Sequence, residues 1–217
     1  MTTMPSKSWI DDLDATVADN LARVAGLVVV YEERVGVRQG RADVASSDIL
    51  RAAVVLLHAT LEEALRAALE RRLPLMPADS LADLLVPLAP PAKPKEKVTL
   101  KDLALLQRET TVSDLIVLAV SHWLASSNFN NVGDVVAALT RVEIPHGLTQ
   151  DQRSDLESLM KRRHWIAHRA DRNRQSGPGQ HTAASLGKKQ VQAWSALVAQ
   201  IGQSICASLR TMEGNAS

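Results

Sequence analysis

The sequence predicts an all-α protein, a helical bundle of three to four long helices with short helices inserted between the second and the third. Apolar residues make up 46% of the 217 positions and aromatic residues only 3%. A core built mainly from alanine and leucine favours helix, because strands prefer aromatic and β-branched side chains. Apolar residues also recur every three or four positions in several stretches, and we find no convincing alternation with period two.

Two long helices are predicted in the first third of the chain. The first is expected over residues 8–35, with Ser8 as N-cap and two acidic residues in its first turn, where they suit the helix dipole. The second is expected over 49–73, capped by Ser46 or Ser47 and ended by two prolines. Its middle is apolar on all sides, which predicts a central position in the bundle.

Shorter elements are predicted in the middle of the chain. Residues 79–88 allow a short helix, and the proline- and lysine-rich stretch 89–97 is expected to be a flexible surface loop. A helical piece should start at Thr99, and residues 113–126 and 132–142 predict two further helices on either side of the polar turn SSNFNN.

The last third predicts two long helices. The helix over 148–169 is acidic in its first half and basic in its second, which matches the helix dipole. A loop over 171–184, rich in glycine and polar residues, is expected to be flexible, and a last amphipathic helix follows over 186–212. We therefore expect one domain over 1–217, with 1–7 and 213–217 disordered, since domains cluster near ~100–200 residues.

Composition limits the classes of function and compartment. A net charge of +1 implies that any nucleic-acid binding is local, because proteins that wrap nucleic acid are usually far more basic. The single cysteine, Cys206, excludes an internal disulfide framework and fits a reducing compartment. The N-terminus has no basic start followed by an apolar run, and no stretch reaches the ~18 apolar residues of a membrane span. We expect a cytoplasmic protein with no membrane partner.

The stretch 156–174, LESLMKRRHWIAHRADRNR, concentrates the groups capable of chemistry. Arg163 and His168 are five positions apart, which on a helix is roughly 140° of rotation and ~7.5 Å of rise. The two side chains can therefore converge on one phosphate near the helix end or across a dimer interface. His164 and His168 are four apart and share a face.

These residue types match the needs of RNA cleavage without a metal or cofactor. One group must take the proton of the 2′-hydroxyl, another must protonate the leaving oxygen, and a cation must stabilise the charge on phosphorus. Histidine serves in both proton transfers near neutral pH, and the planar guanidinium of arginine matches phosphate. We predict His168 as general base or acid, Arg163 as phosphate stabiliser, and His164 as an orienting or second proton-transfer group.

An arginine followed closely by a histidine is not by itself specific. The chain holds three other such pairs, Arg51–His58, Arg141–His146 and Arg174–His181. The first lies in an apolar helical stretch and is expected in the core, the second is broken by a proline, and the third lies in the glycine- and proline-containing loop. Only RHWIAH lies near the C-terminal end of a long amphipathic helix, with further basic residues around it.

In this context RRHWIAHR resembles the R-(polar)-x3-H signature of HEPN domains, a family of helical nucleases and toxins. The helix VVLLHATLEEAL and the segment SNFNNVGDVVAALTRVEI ahead of the motif resemble the RiboL-PSP-type and MAE-type subgroups. The likeness covers about residues 45–210 in pattern. It implies a HEPN-like bundle that acts as a metal-independent endoribonuclease. It also implies a homodimer with a composite active site, often in toxin–antitoxin or phage-defence systems, where an antitoxin protein is a further partner.

The resemblance carries over to single positions. Arg163 matches the motif arginine, His164 the polar position and His168 the motif histidine, while Glu62 matches the acidic position of the early helix. One position departs from the pattern: toxins paired with nucleotidyltransferases often carry tyrosine two residues after the histidine, where this chain has Ala170. Modification of such a tyrosine by a partner is therefore not expected.

Other interpretations of the same residues stay open. Lys161, Arg162, Arg169 and Arg172 are predicted to contact RNA phosphates, although a solvated basic face explains them equally well. The two histidines of the segment HWIAH have the spacing of the zinc motif H-E-x-x-H. The segment lacks the glutamate of that motif and no third ligand is evident, so no metal is predicted.

Two further alternatives concern single residues and the function as a whole. Glu62 has the spacing for an ion pair with Arg66, and His58 is expected to be a core histidine. The alternative function is a non-catalytic helical module that binds RNA or protein, or dimerises, through the same face.

Overall fold

The computed structural model describes residues 8–36, 44–87, 100, 104, 110–171 and 184–215. Within these ranges the chain forms α-helices and short 3₁₀ turns and no β-strand, so the all-α prediction is confirmed. The helices are α1 (Trp9–Val35), α2 (Val44–Arg72), α3 (Val112–Ser126), α4 (Val132–Arg141), α5 (Gln150–Arg169) and α6 (Lys188–Gly214).

Helix α2 is the centre of the bundle, as predicted. It packs against each of the other helices named above, and leucines along its length are essentially inaccessible to solvent. The segment Val44–Leu75 is long and apolar enough to cross a membrane by length and composition, and half of its most apolar window is buried inside the protein. Burial of this kind is what a core helix of a bundle requires.

Helices α1 and α6 pack against α2 and against each other. They approach closely at Gly202, where an added Cβ would lie 2.9 Å from Cγ1 of Val17. Their ends are tied by Trp9, whose indole N–H donates to Glu213 at 2.6 Å. Because α6 continues to Gly214, the expected disorder from residue 213 onward is wrong for its first two residues.

Several predicted boundaries are wrong for reasons of packing. Helix α2 begins at Val44 and Ser46 is fully buried inside it, so neither predicted serine caps the helix. The helix expected over 79–88 is only a 3₁₀ turn, Ala78–Leu81, that buries no side chain. Within the segment expected to be helical from residue 99, the structure describes Leu100 and Ala104, both helical. The flexible stretches predicted at 1–7 and 89–97 lie outside the described residues.

The C-terminal end of α5 is fixed by a buried ion-pair cluster. Ala170 and Asp171 both have left-handed backbone (φ 48° and 53°), which turns the Asp171 carboxylate into the protein. Its Oδ2 accepts from Arg51 Nε and from Arg162 Nη2, both at 2.8 Å. Both guanidinium groups also donate to the carbonyl of Ala184, whose own N–H donates to the Asp171 carbonyl. The two ends of the predicted flexible loop 171–184 are therefore pinned together, which corrects that prediction at its ends; residues 172–183 lie outside the described part.

Candidate functional site

Helix α5 carries the three predicted catalytic side chains at its C-terminal end. A capping box of Thr149 and Gln152 starts this helix, and Leu156, Leu159 and Met160 anchor its first half in the core. Beyond Met160 no side chain of the helix is fully buried, although Ile166 still packs partly against the core, and most of the other side chains are polar. The predicted residues therefore sit on a helix whose position is set by its buried half.

His164 and His168 lie side by side on the exposed face of α5. Their ring centroids are 4.7 Å apart and the ring planes are tilted by 44°. Both residues are exposed to solvent. The i, i+4 spacing predicted this proximity, and the two imidazoles are placed to act on one substrate group together.

The Arg163 side chain points away from the histidine pair, toward the turn that precedes α4. Its side chain is half-buried, and Nη1 donates to Oδ1 of Asn130 at 3.3 Å. Asn130 lies in the SNFN turn that precedes α4. Among the described residues no carboxylate lies within ion-pairing distance of Arg163, so the amide oxygen orients its guanidinium without cancelling its charge.

His58 of α2 lies within electrostatic range of Arg163 and is almost fully buried, with 2% of its surface exposed. Its Nε2 is 3.2 Å from the carbonyl of Phe129, and its Nδ1 is 3.6 Å from Oε2 of Glu62. Burial lowers the pKa of the imidazole, the positive charge of Arg163 lowers it further, and Glu62 and the Phe129 carbonyl offset part of this. A neutral imidazole that donates from Nε2 to the carbonyl fits these surroundings.

Glu62 and Arg66 extend this network along α2. The predicted pair is present: Arg66 donates to Oε1 of Glu62 through Nε at 3.2 Å and Nη2 at 2.8 Å. The same guanidinium donates to the carbonyls of Leu124 and Ser127 at the end of α3, and lies 5.6 Å from the ring centroid of Phe129. Arg66 therefore adds a second donor to the Leu124 carbonyl, which also accepts from the Ser127 N–H, and it ties the end of α3 to the turn that carries Asn130.

The structure thus separates the predicted groups into two sets. Arg163 is grouped with Asn130, His58 and Glu62 at the junction of α2, α5 and the SNFN turn. His164 and His168 form the second set on the exposed face of α5. The rotation of roughly 140° between positions 163 and 168 explains this separation. Within one chain the arginine and the histidine of the motif flank the helix end and do not contact each other.

The four predicted RNA-contacting residues have different surroundings. Lys161 is exposed and pairs with Glu157 at 2.6 Å. Arg162 is bound in the Asp171 cluster with 11% of its side chain exposed, so its main role in the fold is structural. Arg169 is exposed at the last turn of α5, whereas Arg172 lies outside the described residues.

Sequence reasoning assigned no role to Asn130 or Asp171 and treated His58 only as core. The local sequence does mark both residues, since Asn130 lies in a polar turn next to Phe129 and Asp171 is the single acid within the basic stretch RADRNR. It does not indicate which residues they contact, because those contacts join positions that are far apart in the chain. Among the described residues, no three side chains of the metal-ligating types cluster together.

No protein-family model matches the chain, and neither does any curated protein or solved structure.

Proposed function

We propose that the protein is a metal-independent endoribonuclease whose active site is built from Arg163, His164 and His168. The observation that carries the proposal is the end of α5. There two exposed imidazoles lie 4.7 Å apart, and the adjacent guanidinium is held by an amide oxygen rather than a carboxylate. Cleavage of a phosphodiester requires two proton-transfer groups and a cation whose charge is available, and this helix end carries both, on different sides of the helix.

In the proposed reaction the 2′-hydroxyl of RNA attacks the adjacent phosphorus. One imidazole of the pair His164 and His168 takes the hydroxyl proton, and the other gives a proton to the leaving 5′-oxygen. Arg163 stabilises the negative charge that develops on the phosphoryl oxygens. The bond from phosphorus to the 5′-oxygen breaks as the bond to the 2′-oxygen forms. The products are a 2′,3′-cyclic phosphate and a 5′-hydroxyl.

A homodimer with a composite cleft fits the separation of the two sets. A second copy of the α5 end would place its Arg163 across from the histidine pair of the first. The partly exposed indole of Trp165, with 40% of its surface accessible, lies beside the same helix end. A biological role as a toxin or phage-defence effector, with an antitoxin protein as partner, follows from the resemblance of the motif to HEPN domains.

The proposal is tested by incubating the purified protein with RNA in EDTA. We expect cleavage by the unaltered protein, and a loss on the order of 10²-fold or more in Arg163→Ala and in His168→Ala, the size typical of removing a charge-stabilising or proton-transfer group. Matched controls are Arg23→Ala on α1 and His122→Ala on α3, which remove exposed side chains of the same types from other helices. Equal activity in all variants, or cleavage by none of them, contradicts the proposal.

The alternative is a binding module that uses the same surface without catalysis. It is favoured by one observation, which is that Arg163 and His168 do not contact each other within the chain. This alternative predicts RNA or partner binding that weakens as salt rises, with intact RNA recovered from the complex.

A further inference from the structure

We infer that the groove between α5 and α6 is a subsite that binds one nucleobase of single-stranded RNA. This inference rests on the proposed function for the identity of the ligand as RNA. The groove encloses about 300 Å³, and it is lined by two serines together with Glu157, Lys161, Arg162, Trp165, Gln190 and Trp194. This volume is at the lower end of the ~300–1,000 Å³ of small-molecule sites, which suits one base better than a larger ligand.

Trp165 provides the stacking surface. Its indole lines the groove and keeps 40% of its surface accessible, whereas Trp194 on the opposite wall is 2% exposed and belongs to the core. Stacking of a base on an exposed aromatic ring contributes ~1–3 kcal/mol in single-strand binding, and it tolerates any base because each has a π-face. Trp165 and His168 are three positions apart on α5 and are therefore neighbours on the helix surface, so a base stacked there belongs to a nucleotide close to the proposed cleavage point.

Arg162 provides a donor that the fold leaves unused. Its Nη2 is held by Asp171 and Ala184, which fixes the orientation of the guanidinium. Its Nε is buried and has no hydrogen-bond partner. A buried donor without an acceptor is unfavourable, and a base or phosphate oxygen brought into the groove would supply the acceptor after a small shift of the side chain.

Lys161 provides a charge that can be shared with phosphate. It pairs with Glu157, and the two side chains are 63% and 55% exposed. Exposed ion pairs of this kind contribute little to stability, so an RNA phosphate can compete for the ammonium group at small cost. Glu157 and Gln190 then remain at the rim as acceptors for the amino groups of a base.

The test measures binding of a fluorescein-labelled 2′-O-methyl RNA hexamer, which the proposed reaction cannot cleave because the attacking hydroxyl is blocked. We expect Trp165→Ala to weaken the affinity by ~10-fold or more and Trp165→Phe by less than ~3-fold, because the phenyl ring retains stacking. Lys161→Gln should weaken binding and reduce its salt dependence by about one ion. Leu118→Ala, which removes a similarly exposed apolar side chain (46%) from α3, should bind like the unaltered protein.

Unchanged affinity in Trp165→Ala, or no binding of the hexamer by the unaltered protein, overturns the subsite. A change from dimer to monomer in Trp165→Ala with unchanged affinity per chain also overturns it and assigns the indole to an interface between copies. If the hexamer binds through Trp165 but RNA is never cleaved, the subsite stands and the nuclease proposal fails. If RNA is cleaved but binding ignores Trp165, the nuclease proposal stands and the subsite fails.

Discussion

Arg163 of α5 lies close enough to the buried His58 of α2 for its positive charge to lower the pKa of the imidazole, adding to the larger effect of burial. His58 in turn donates to the carbonyl of Phe129, next to the Asn130 that holds Arg163. A core histidine and the arginine of the proposed site are therefore parts of one network. Substitutions in this network are expected to change the stability of the protein or its RNA cleavage, and each effect can be measured separately.

The lowered pKa of His58 makes stability depend on pH. The unfolded chain takes up a proton near pH 6.5 whereas the folded protein keeps the imidazole neutral, so the unfolded state binds more protons in acid. We expect the free energy of unfolding to fall below that pH by at most ~1.4 kcal/mol per pH unit from this group. Urea denaturation of the unaltered protein and of His58→Gln between pH 7.5 and 5 checks this. The variant keeps an N–H donor for the Phe129 carbonyl, and it should show a shallower acid loss; an identical slope would contradict the assignment.

Asn130 is expected to orient Arg163 without neutralising it. Replacing it in Asn130→Asp places a carboxylate 3.3 Å from the guanidinium, where the present partner is an amide oxygen. We expect RNA cleavage to fall by ~10-fold or more, because the cation is then paired before substrate binds. Asn128→Asp is the matched control, since it adds the same charge to an exposed position of the same turn. An equal effect of both substitutions would point to overall charge rather than to the contact.

The cluster of Asp171 with Arg51 and Arg162 is expected to be essential for stability. Asp171→Asn keeps the shape of the side chain and suits the left-handed backbone at this position. It leaves the buried Arg162 guanidinium without its carboxylate, and it leaves Arg51 with only the exposed Asp48 as an ion-pair partner. We expect a loss of ~3–5 kcal/mol in the free energy of unfolding. Asp155→Asn, on the exposed face of α5, should change it by less than ~0.5 kcal/mol. Chemical denaturation of the two variants measures this difference in the free energy of unfolding. A loss below ~1 kcal/mol in Asp171→Asn would show that the ion pairs of Asp171 contribute little to stability.

The contact of α1 with α6 gives a prediction about glycine. In Gly202→Ala the new methyl would lie 2.9 Å from Val17, so we expect a destabilisation of ~1–3 kcal/mol from overpacking. Gly26→Ala, at a helical position with nothing within 4 Å, should instead stabilise α1 by ~0.5–1 kcal/mol. The double variant Gly202→Ala with Val17→Ala should not show the clash. Thermal unfolding of the three proteins measures these differences, and destabilisation by both single substitutions would contradict the account.

Periodic apolar spacing was sufficient to predict α1, the central position of α2, and the motif helix α5. It could not predict where α2 begins, because Ser46 is buried by contacts with other elements although its local propensity is to cap. Nor could it predict the pairing of Arg51 with Asp171 across 120 positions, or of His58 with Phe129 across 71. Those contacts depend on how the helices assemble, whereas the pair His164 and His168 depends only on the turn of one helix.

The central claim is that the end of α5 cleaves RNA through its 2′-hydroxyl, and the chemical ends of the products test it most directly. RNA incubated in EDTA with the unaltered protein and with Arg163→Ala is analysed for its new termini. The account predicts 2′,3′-cyclic phosphate and 5′-hydroxyl ends that are lost in the variant, together with an intact 2′-O-methyl substrate. New 3′-hydroxyl and 5′-phosphate ends, or the same products from Arg163→Ala, would contradict it.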